Sequence, residues 1–422
     1  MVLSLPQATR PLAGVVKVPG DKSLAHRAAL FAALAEGESE VANYPDSGVT
    51  RAMRGALESL GVPSSLEGGV LRIKGNGMRP FPNSGATAFC GNSATTIRLL
   101  AGAVVATRSS AVLDGSEGLR KRPMDRIAEP LRLMGADVAT TNGRAPITIS
   151  PAPLHGMDYT LPVASAQVKS CLELAALGAD APVTLHEPGP SRDHTARMFR
   201  AMGATVVSAG LTETVHPATS LKPLDGTLPG DISSAAFLLA AAAIVPGSRV
   251  TVSGVGLNPT RTGVLDVLSA MGAHISVASL REEFGEPVGD VTLEAAPLHG
   301  VEIAGDLVVR SIDEFPALAA VAAFAEGETV VRGAEELRYK ETDRIAAIVA
   351  QLGALGAEVE ECPDGFTVRG GTLKGGTARA NGDHRLAMSM AVCGLRAPVS
   401  VVGAEILNES FPEFEQLLSS LI

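Results

Sequence analysis

One recurring phrase limits what this chain can fold into. It reads Leu57-Glu-Ser-Leu-Gly61-Val, Leu131-Arg-Leu-Met-Gly135-Ala, Phe199-Arg-Ala-Met-Gly203-Ala, Leu268-Ser-Ala-Met-Gly272-Ala and Leu352-Gly-Ala-Leu-Gly356-Ala. Successive glycines lie 74, 68, 69 and 84 residues apart. Apolar residues at helical spacing followed by Gly mark the end of a helix, because Gly alone takes the left-handed backbone of the C′ position without strain. Several of the phrases run on into β-branched residues, as in Ala204-Thr-Val-Val207, which can open a strand. A second phrase alternates with the first. Six short polar loops each precede an Ala-rich stretch: Pro19-Gly-Asp-Lys-Ser23, Cys90-Gly-Asn-Ser-Ala-Thr95, Val163-Ala-Ser-Ala-Gln167, Pro229-Gly-Asp-Ile-Ser-Ser234, Ser311-Ile-Asp-Glu-Phe-Pro316 and Asn381-Gly-Asp-His-Arg385. The stretches carry few charges, so the pattern predicts helices buried all round. Runs such as Val15-Val-Lys-Val18, Pro146-Ile-Thr-Ile149, Arg249-Val-Thr-Val252 and Gly365-Phe-Thr-Val-Arg369 predict strands between them.

The repeating unit is therefore strand, polar loop, buried helix, strand, amphipathic helix ending in Gly, then strands. Six such units of about 70 residues account for the chain. The sixth lacks the Gly phrase and is expected to end with a helix over 411–421. A chain of 422 residues exceeds one ordinary core, so three units per domain is the simplest division. The boundary is expected near residues 222–230. The fold class is α/β.

Composition narrows the function. The net charge is −10, from 35 basic and 45 acidic side chains, and only 3% of residues are aromatic. An acidic chain without aromatic stacking platforms argues against nucleic acid and against anionic membrane as partners. The apolar run Ala235 to Val245 is far shorter than the ~20 residues of a membrane span. The N-terminus has no basic region followed by an apolar one, so no signal peptide is expected. Cys90, Cys171, Cys362 and Cys393 are widely spaced and form no C-x-x-C pair. They are read as reduced thiols of a cytoplasmic protein.

Helix capping explains the Ser, Asp, Asn and Thr of the polar loops. It does not explain Lys22, Gln167, His384 or Arg385 in the same places. Arg also recurs at the start of the second helix of the units, in Asp46-Ser-Gly-Val-Thr-Arg51, Arg120-Lys-Arg-Pro-Met-Asp-Arg126, Ser191-Arg-Asp-His-Thr-Ala-Arg197, Asn258-Pro-Thr-Arg261 and Lys340-Glu-Thr-Asp-Arg344. A cation there opposes the helix dipole, which suggests anion sites where guanidinium and N–H groups face one ligand. Gly20 and Lys22 are separated by Asp21, so no Walker A loop is present, and no G-x-G-x-x-G follows a strand. No H-E-x-x-H or Cys/His cluster points to a metal, and no cofactor is implied.

At Gly20-Asp-Lys-Ser23 with Arg27, Gly91-Asn92-Ser-Ala94-Thr95, Arg120-Lys-Arg-Pro123, Lys340-Glu-Thr-Asp-Arg344 and Asp383-His384-Arg385, the sequence closely resembles the EPSP synthase family, the 3-phosphoshikimate 1-carboxyvinyltransferases. The resemblance runs from about residue 6 to the C-terminus. It implies two similar domains, each of three βαβαββ units, in the inside-out α/β barrel of the enolpyruvyl transferases. Residues 21–227 would form one domain, and 1–20 with 228–422 the other. The active site would lie between them and close on substrate. The implied reaction moves the enolpyruvyl group of phosphoenolpyruvate to the 5-hydroxyl of shikimate 3-phosphate, in the pathway to aromatic amino acids. Both substrates carry phosphate and carboxylate, together roughly five to six negative charges. Lys22, Arg27, Arg122, Arg192, Lys340, Arg344 and Arg385 can offset these without a metal.

By the same resemblance, Ser23, Arg27 and Asp313 hold the shikimate ring, with Lys22 and Lys340 beside it. Ser165, the Ala166 backbone and Arg192 hold its phosphate. Gln167 lies against the ring and reaches phosphoenolpyruvate. Lys22 and Arg122 bind the phosphoenolpyruvate phosphate, near Asn92, Ala94 and Thr95, and Arg344 and Arg385 clamp its carboxylate. Glu341 is the expected acid and base at C3, and Asp313 the base on the hydroxyl, assisted by Lys22. A monomer is expected.

Ser165-Ala-Gln-Val-Lys169, Asn258-Pro-Thr-Arg261 and Arg192-Asp-His-Thr resemble the class II branch, although Ala196 stands where that branch has Glu. Glu409 lies where the other branch has a phosphate-binding Lys, and that contact is not carried over. Ala94 stands where glyphosate-sensitive relatives have Gly, so weak inhibition by glyphosate is expected. The nearest rival is the sister transferase acting on UDP-N-acetylglucosamine. That family has a Cys before its Arg-Pro, whereas Ser116-Glu-Gly-Leu-Arg-Lys-Arg122 has none. A non-catalytic anion-binding relative is the rival of another class.

Overall fold

The computed structural model describes residues 1–79 and 81–422. The five glycine phrases are the same device each time. Gly61, Gly135, Gly203, Gly272 and Gly356 all have φ between 88° and 110°. They follow helices Gly48–Ser59, Asp125–Leu133, His194–Ala201, Gly263–Ala270 and Arg344–Ala354. In each, the N–H of the next residue reaches back five positions: Val62 to Leu57, Ala136 to Leu131, Ala204 to Phe199, Ala273 to Leu268 and Ala357 to Leu352. This is the Schellman motif, and the two residues joined are its apolar pair. The phrase was thus a complete local instruction: stop the helix, turn, and enter a strand.

The Ala-rich stretches form helices Lys22–Leu34, Ala94–Ala106, Ala166–Ala176, Ile232–Ile244, Phe315–Ala322 and His384–Cys393. Beyond their first turns nearly every residue is buried, on all sides. Small side chains make this possible. A Cβ on Gly102 would stand 2.3 Å from the carbonyl oxygen of Cys171, so the second and third of these helices touch backbone to backbone. Asp21, Ser93, Asp231 and Asp383 cap four of the helices by accepting from a backbone N–H of the first turn.

Four of the six core helices join a parallel pair of strands, as a crossover connection requires. Helix Ala94–Ala106 links Thr87–Phe89 to Ala111–Asp114, and helix Ala166–Ala176 links Met157–Thr160 to Val183–His186. Two further strands complete most of the six sheets as antiparallel hairpins. Two units exchange their first strands. Ala13–Lys17, which precedes the first core helix, pairs with Arg249–Gly256. Asp225–Thr227, which precedes the fourth, pairs with Glu36–Ala42. In the sixth sheet Val2–Leu3 takes the antiparallel place beside Val399–Val402. The helix expected over 411–421 is shorter, Phe414–Ser419, and follows a 3₁₀ turn at Ala404–Glu409.

The chain divides into two compact units. One comprises residues 20–228 with the hairpin tip Glu282–Glu286, and the other comprises 1–19, 229–281 and 287–422. Each has its own apolar core built around three of the buried helices. Phe31 and Phe199 meet at 4.7 Å in the first, and Phe237 and Phe414 at 6.4 Å in the second. Phe284, from the hairpin tip, joins the core of the first. Burial pushes the thiols of Cys90, Cys171 and Cys393 up to about 12. Among the described residues no helix is long and apolar enough to cross a membrane.

The close helix contact gives a stability test. Alanine favours a helix over glycine by about 1 kcal/mol, but forcing its methyl against a backbone oxygen costs about 1–3 kcal/mol. Gly102→Ala is therefore expected to lower the urea midpoint, by the equivalent of up to about 2 kcal/mol. An unchanged or raised midpoint would show that the two helices separate freely.

Candidate active site

The polar loops put charged and hydroxyl side chains on the first turns of the core helices. In the unit containing residues 20–228, these side chains tie the three helices into a triangle. Arg27, on the first helix, donates from Nε to Thr195 Oγ1 (2.8 Å) and from Nη2 to Ser170 Oγ on the third helix (2.7 Å). Its Nη1 donates to the carbonyl of Ser23 at 3.0 Å. His26 Nδ1 lies 3.3 Å from Thr96 Oγ1 on the second helix. Arg98 closes the triangle: Nη1 donates to Gln167 Oε1 (2.5 Å) and Nη2 to the Pro123 carbonyl (3.0 Å). Gln167 Nε2 then donates to Thr95 Oγ1 at 3.1 Å. The amide of Gln167 is held at both ends, and the loop carrying Arg122 is fastened to the second helix.

Ser165 precedes the third helix without spending its hydroxyl on a capping bond, and Ser165, Ala166, Gln167, Arg122 and Arg192 are all partly exposed. Asn92 Oδ1 accepts from Ser116 Oγ at 3.0 Å, which joins the Asn92-Ala94-Thr95 loop to the one that follows it. Ala94 is buried at the first position of its helix. Burial brings the Arg27 guanidinium down to about 10, against the pull of Glu173, Asp21 and Glu286, so it remains a cation at neutral pH. Lys169 of the Ser165–Lys169 motif turns into the core and meets Glu187 at 2.7 Å. Glu187 also accepts from Ser191 Oγ, next to Arg192. Glu173 is deeply buried; burial and the neighbouring Glu213 carboxylate push it well above the usual carboxylate range.

The other unit holds a denser cluster. Arg344 is 1% exposed and faces three carboxylates. Its Nε donates to Asp383 Oδ2 (2.6 Å), Nη2 to Glu341 Oε2 (2.7 Å) and Nη1 to Asp313 Oδ1 (3.4 Å). Burial lowers the affinity of Arg344 for its proton, but Glu341, Asp383 and Asp313 outweigh that and raise it above the ordinary value. Arg385 donates to the Asp313 carbonyl at 3.0 Å and lies 3.9 Å from its carboxylate. Lys340 is 3.7 Å from Glu336. Asp313 and Glu341 thus share one guanidinium, yet their side chains are 17% and 32% exposed.

The expected site residues therefore fall into two groups. Lys22, Ser23, Arg27, Asn92, Ala94, Thr95, Arg122, Ser165, Ala166, Gln167 and Arg192 belong to one unit, and Asp313, Lys340, Glu341, Arg344 and Arg385 to the other. Not every Arg at a helix start is spare for a ligand. Arg51, Arg120 and Arg197 are taken up by Asp46, Asp114 and Asp193 close by. Sequence reasoning passed over Arg98, Ser170 and Thr195. Arg98 carried a usable signal, as a single charge inside an otherwise apolar helix. Ser170 and Thr195 carried none, since both read as ordinary helix residues.

The two-unit α/β fold, with guanidinium side chains at core-helix N-termini in each unit and the Gln167 amide in one, is that of the enolpyruvyl transferases. An enolpyruvyl transferase of Streptomyces tendae, NikO, has this fold at a TM-score of 0.78, with 21% identity over 99% of this chain and 96% of its own. EPSP synthase of Acinetobacter baumannii superposes with a TM-score of 0.92 and 40% identity, covering 100% of this chain and 98% of the other. The 3-phosphoshikimate 1-carboxyvinyltransferase of Roseiflexus castenholzii is 48% identical over 420 residues, 97% of each chain. That of Geobacter sulfurreducens is 47% identical over 417 residues, 98% of this chain and 97% of its own. Residues 6–418 match the family described as EPSP synthase (3-phosphoshikimate 1-carboxyvinyltransferase), and the chain belongs to that family.

His26 makes the cluster sensitive to acid. Burial, then the charges of Lys22 and Arg27, lower its imidazole from 6.5 to about 3, against the opposing pull of Asp21. Below 6.5 the unfolded chain takes up a proton that the folded chain refuses, so stability falls as pH drops from 6.5 toward 3. At pH 5 this costs about 2 kcal/mol relative to pH 7. The urea midpoint of His26→Gln should fall less between pH 7 and pH 5 than that of the unaltered protein. Equal falls would mean that His26 becomes protonated in the folded state.

Proposed function

We propose that this chain carries out its family's reaction with the division of labour set out here. It is a 3-phosphoshikimate 1-carboxyvinyltransferase of the shikimate pathway: the 5-hydroxyl of shikimate 3-phosphate adds to C2 of phosphoenolpyruvate, and inorganic phosphate leaves. The observation that carries the reading is the family match over residues 6–418. Of the motif residues, Lys22, Ser23, Arg27, Ala94, Thr95, Ala166, Gln167 and Arg385 lie in the first two turns of core helices, and Arg344 begins helix Arg344–Ala354.

Lys22, Ser23, Arg27, Ser165, the Ala166 backbone, Gln167 and Arg192 take shikimate 3-phosphate, with Asp313 and Lys340 from the other unit. Lys22, Asn92, Ala94, Thr95, Arg122, Gln167, Arg344 and Arg385 take phosphoenolpyruvate. Arg344 already meets three carboxylates. To hold a substrate carboxylate it exchanges a partner, and the Glu341 contact, the more exposed of the pairs, is the one that yields. Glu341 then serves C3, first as acid and later as base. Protonation of C3 makes C2 electrophilic; Asp313, assisted by Lys22, takes the proton of the attacking hydroxyl. The tetrahedral adduct collapses by loss of phosphate from C2 and of a proton from C3, restoring the double bond. Two carboxylates of different exposure suit these separate duties.

The test is phosphate release from phosphoenolpyruvate by the purified protein without added metal. Release should require shikimate 3-phosphate. Asp313→Asn and Glu341→Gln should each reduce kcat by roughly a hundredfold or more, as expected for loss of a general acid or base. Release with UDP-N-acetylglucosamine instead would transfer the protein to the sister activity. Silence with both acceptors would support a binding-only role.

Ala94 supports assignment to the class II, glyphosate-tolerant branch, as do the Ser165–Lys169 and Asn258–Arg261 motifs. Its methyl, buried at the helix start, narrows the space beside phosphoenolpyruvate. Ala94→Gly should lower the glyphosate concentration for half-inhibition by about tenfold or more, the worth of one removed steric contact of 1–3 kcal/mol. An unchanged curve would remove Ala94 as the cause of tolerance. We further propose a cytoplasmic monomer.

A further inference from the structure

Glu314 has no duty in the reaction as set out above, yet it is wholly buried at the centre of the second cluster. It is the residue before helix Phe315–Ala322, the fifth core helix. Its Oε1 accepts from Ser233 Oγ on the fourth core helix and lies 3.6 Å from Arg385 Nη1 on the sixth. The same Ser233 oxygen accepts from Arg261 Nη2 at 2.8 Å, and Arg261 lies 3.5 Å from Asp231. One carboxylate therefore joins the N-termini of all three core helices of its unit. Its Oε2 has no hydrogen-bond partner among the described residues.

A buried carboxylate with one oxygen unsatisfied is a poor stabilising device. An apolar side chain of similar volume would ordinarily serve folding as well or better. What the carboxylate does supply is direction. Arg385 Nη1 donates to the carbonyl of Asp313 at 3.0 Å and faces Glu314 Oε1 at 3.6 Å, an ion-pair rather than a hydrogen-bond distance, so the buried charge of Glu314 holds it against that carbonyl. That fixes one edge of a planar, two-edged donor. Asp313 Oδ2, at 3.9 Å from Nη2, is too distant to fix the other edge by a hydrogen bond. Ser233, anchored by Arg261, keeps Glu314 from turning away.

We propose that Glu314 is a positioning residue that sets the Arg385 guanidinium for a substrate carboxylate. This rests on the reading that Arg385 meets the carboxylate of phosphoenolpyruvate. Glu314 touches no substrate; it acts through Arg385. The prediction is a split between the two substrates. Glu314→Gln keeps shape but removes the charge, and should raise the KM for phosphoenolpyruvate about tenfold, the scale of one charge-assisted contact. The KM for shikimate 3-phosphate should change by less than about twofold, since of its proposed contacts only Asp313 lies beside Glu314, and the Asp313 carboxylate is held by Arg344. Ser233→Ala, a milder change, should produce the same split at smaller size, and it carries the test if Glu314→Gln fails to fold. Arg385→Gln is measured alongside. If it raises the KM for phosphoenolpyruvate while Glu314→Gln and Ser233→Ala raise neither KM, or both equally, the positioning role is wrong and the reading of Arg385 stands. If Arg385→Gln leaves the KM for phosphoenolpyruvate unchanged, the reading of Arg385 fails and takes the proposal with it.

Discussion

Burial of six helices on every side is the constraint on which the rest of the structure depends. A helix with no solvent face must be made of small apolar residues, and here it is made of Ala, Leu and Val with Gly102 where backbones touch. Its middle satisfies its own N–H and C=O groups, but its first turn cannot. Those N–H groups need partners, so the polar residues of each unit collect at the helix starts. The sheets then cover the helices from outside, and the Schellman turns return the chain from surface helix to strand. Polar groups gathered at several helix N-termini form a ready anion site, which is why a protein of net charge −10 can take substrates with several negative charges.

The two units meet this requirement with different chemistry. In one, neutral groups do most of the joining: Thr95, Gln167, Ser170 and Thr195 link Arg27 and Arg98 across four helices. In the other, carboxylates do it. Arg344 with Asp313, Glu341 and Asp383, and Arg385 with Asp313 and Glu314, form a cluster in which anions outnumber guanidinium groups. Such a cluster holds its cations rigidly and leaves them incompletely available. In the proposed mechanism an incoming carboxylate exchanges with an internal one, so binding of phosphoenolpyruvate and release of Glu341 are a single event.

Much of this was legible in the sequence, and the reason is physical. The Gly phrase reports a positive φ that other residues resist, and all five instances obey it. The polar loops report capping, and Asp21, Ser93, Asp231 and Asp383 do cap. What did not show were contacts fixed by packing alone. Nothing in the sequence brings Thr195 to Arg27, or Ser233 to Glu314, because those pairs are separated by 168 and 81 residues. The exchange of the strands Ala13–Lys17 and Asp225–Thr227 was equally hidden, since both read as ordinary first strands of their units. Arg51, Arg120 and Arg197 looked like ligand cations until their local acids were seen beside them.

The account turns on a proton delivered to C3 of phosphoenolpyruvate inside this site. The direct measurement is to run the reaction in deuterium oxide and examine the methylene group of the product's enolpyruvyl side chain by mass spectrometry and NMR. Deuterium in that methylene, and none in phosphoenolpyruvate incubated without shikimate 3-phosphate, is the expected result. A product free of deuterium would mean that C3 is never protonated by a group exchanging with solvent, and would contradict the assignment of Glu341 and the addition–elimination route together.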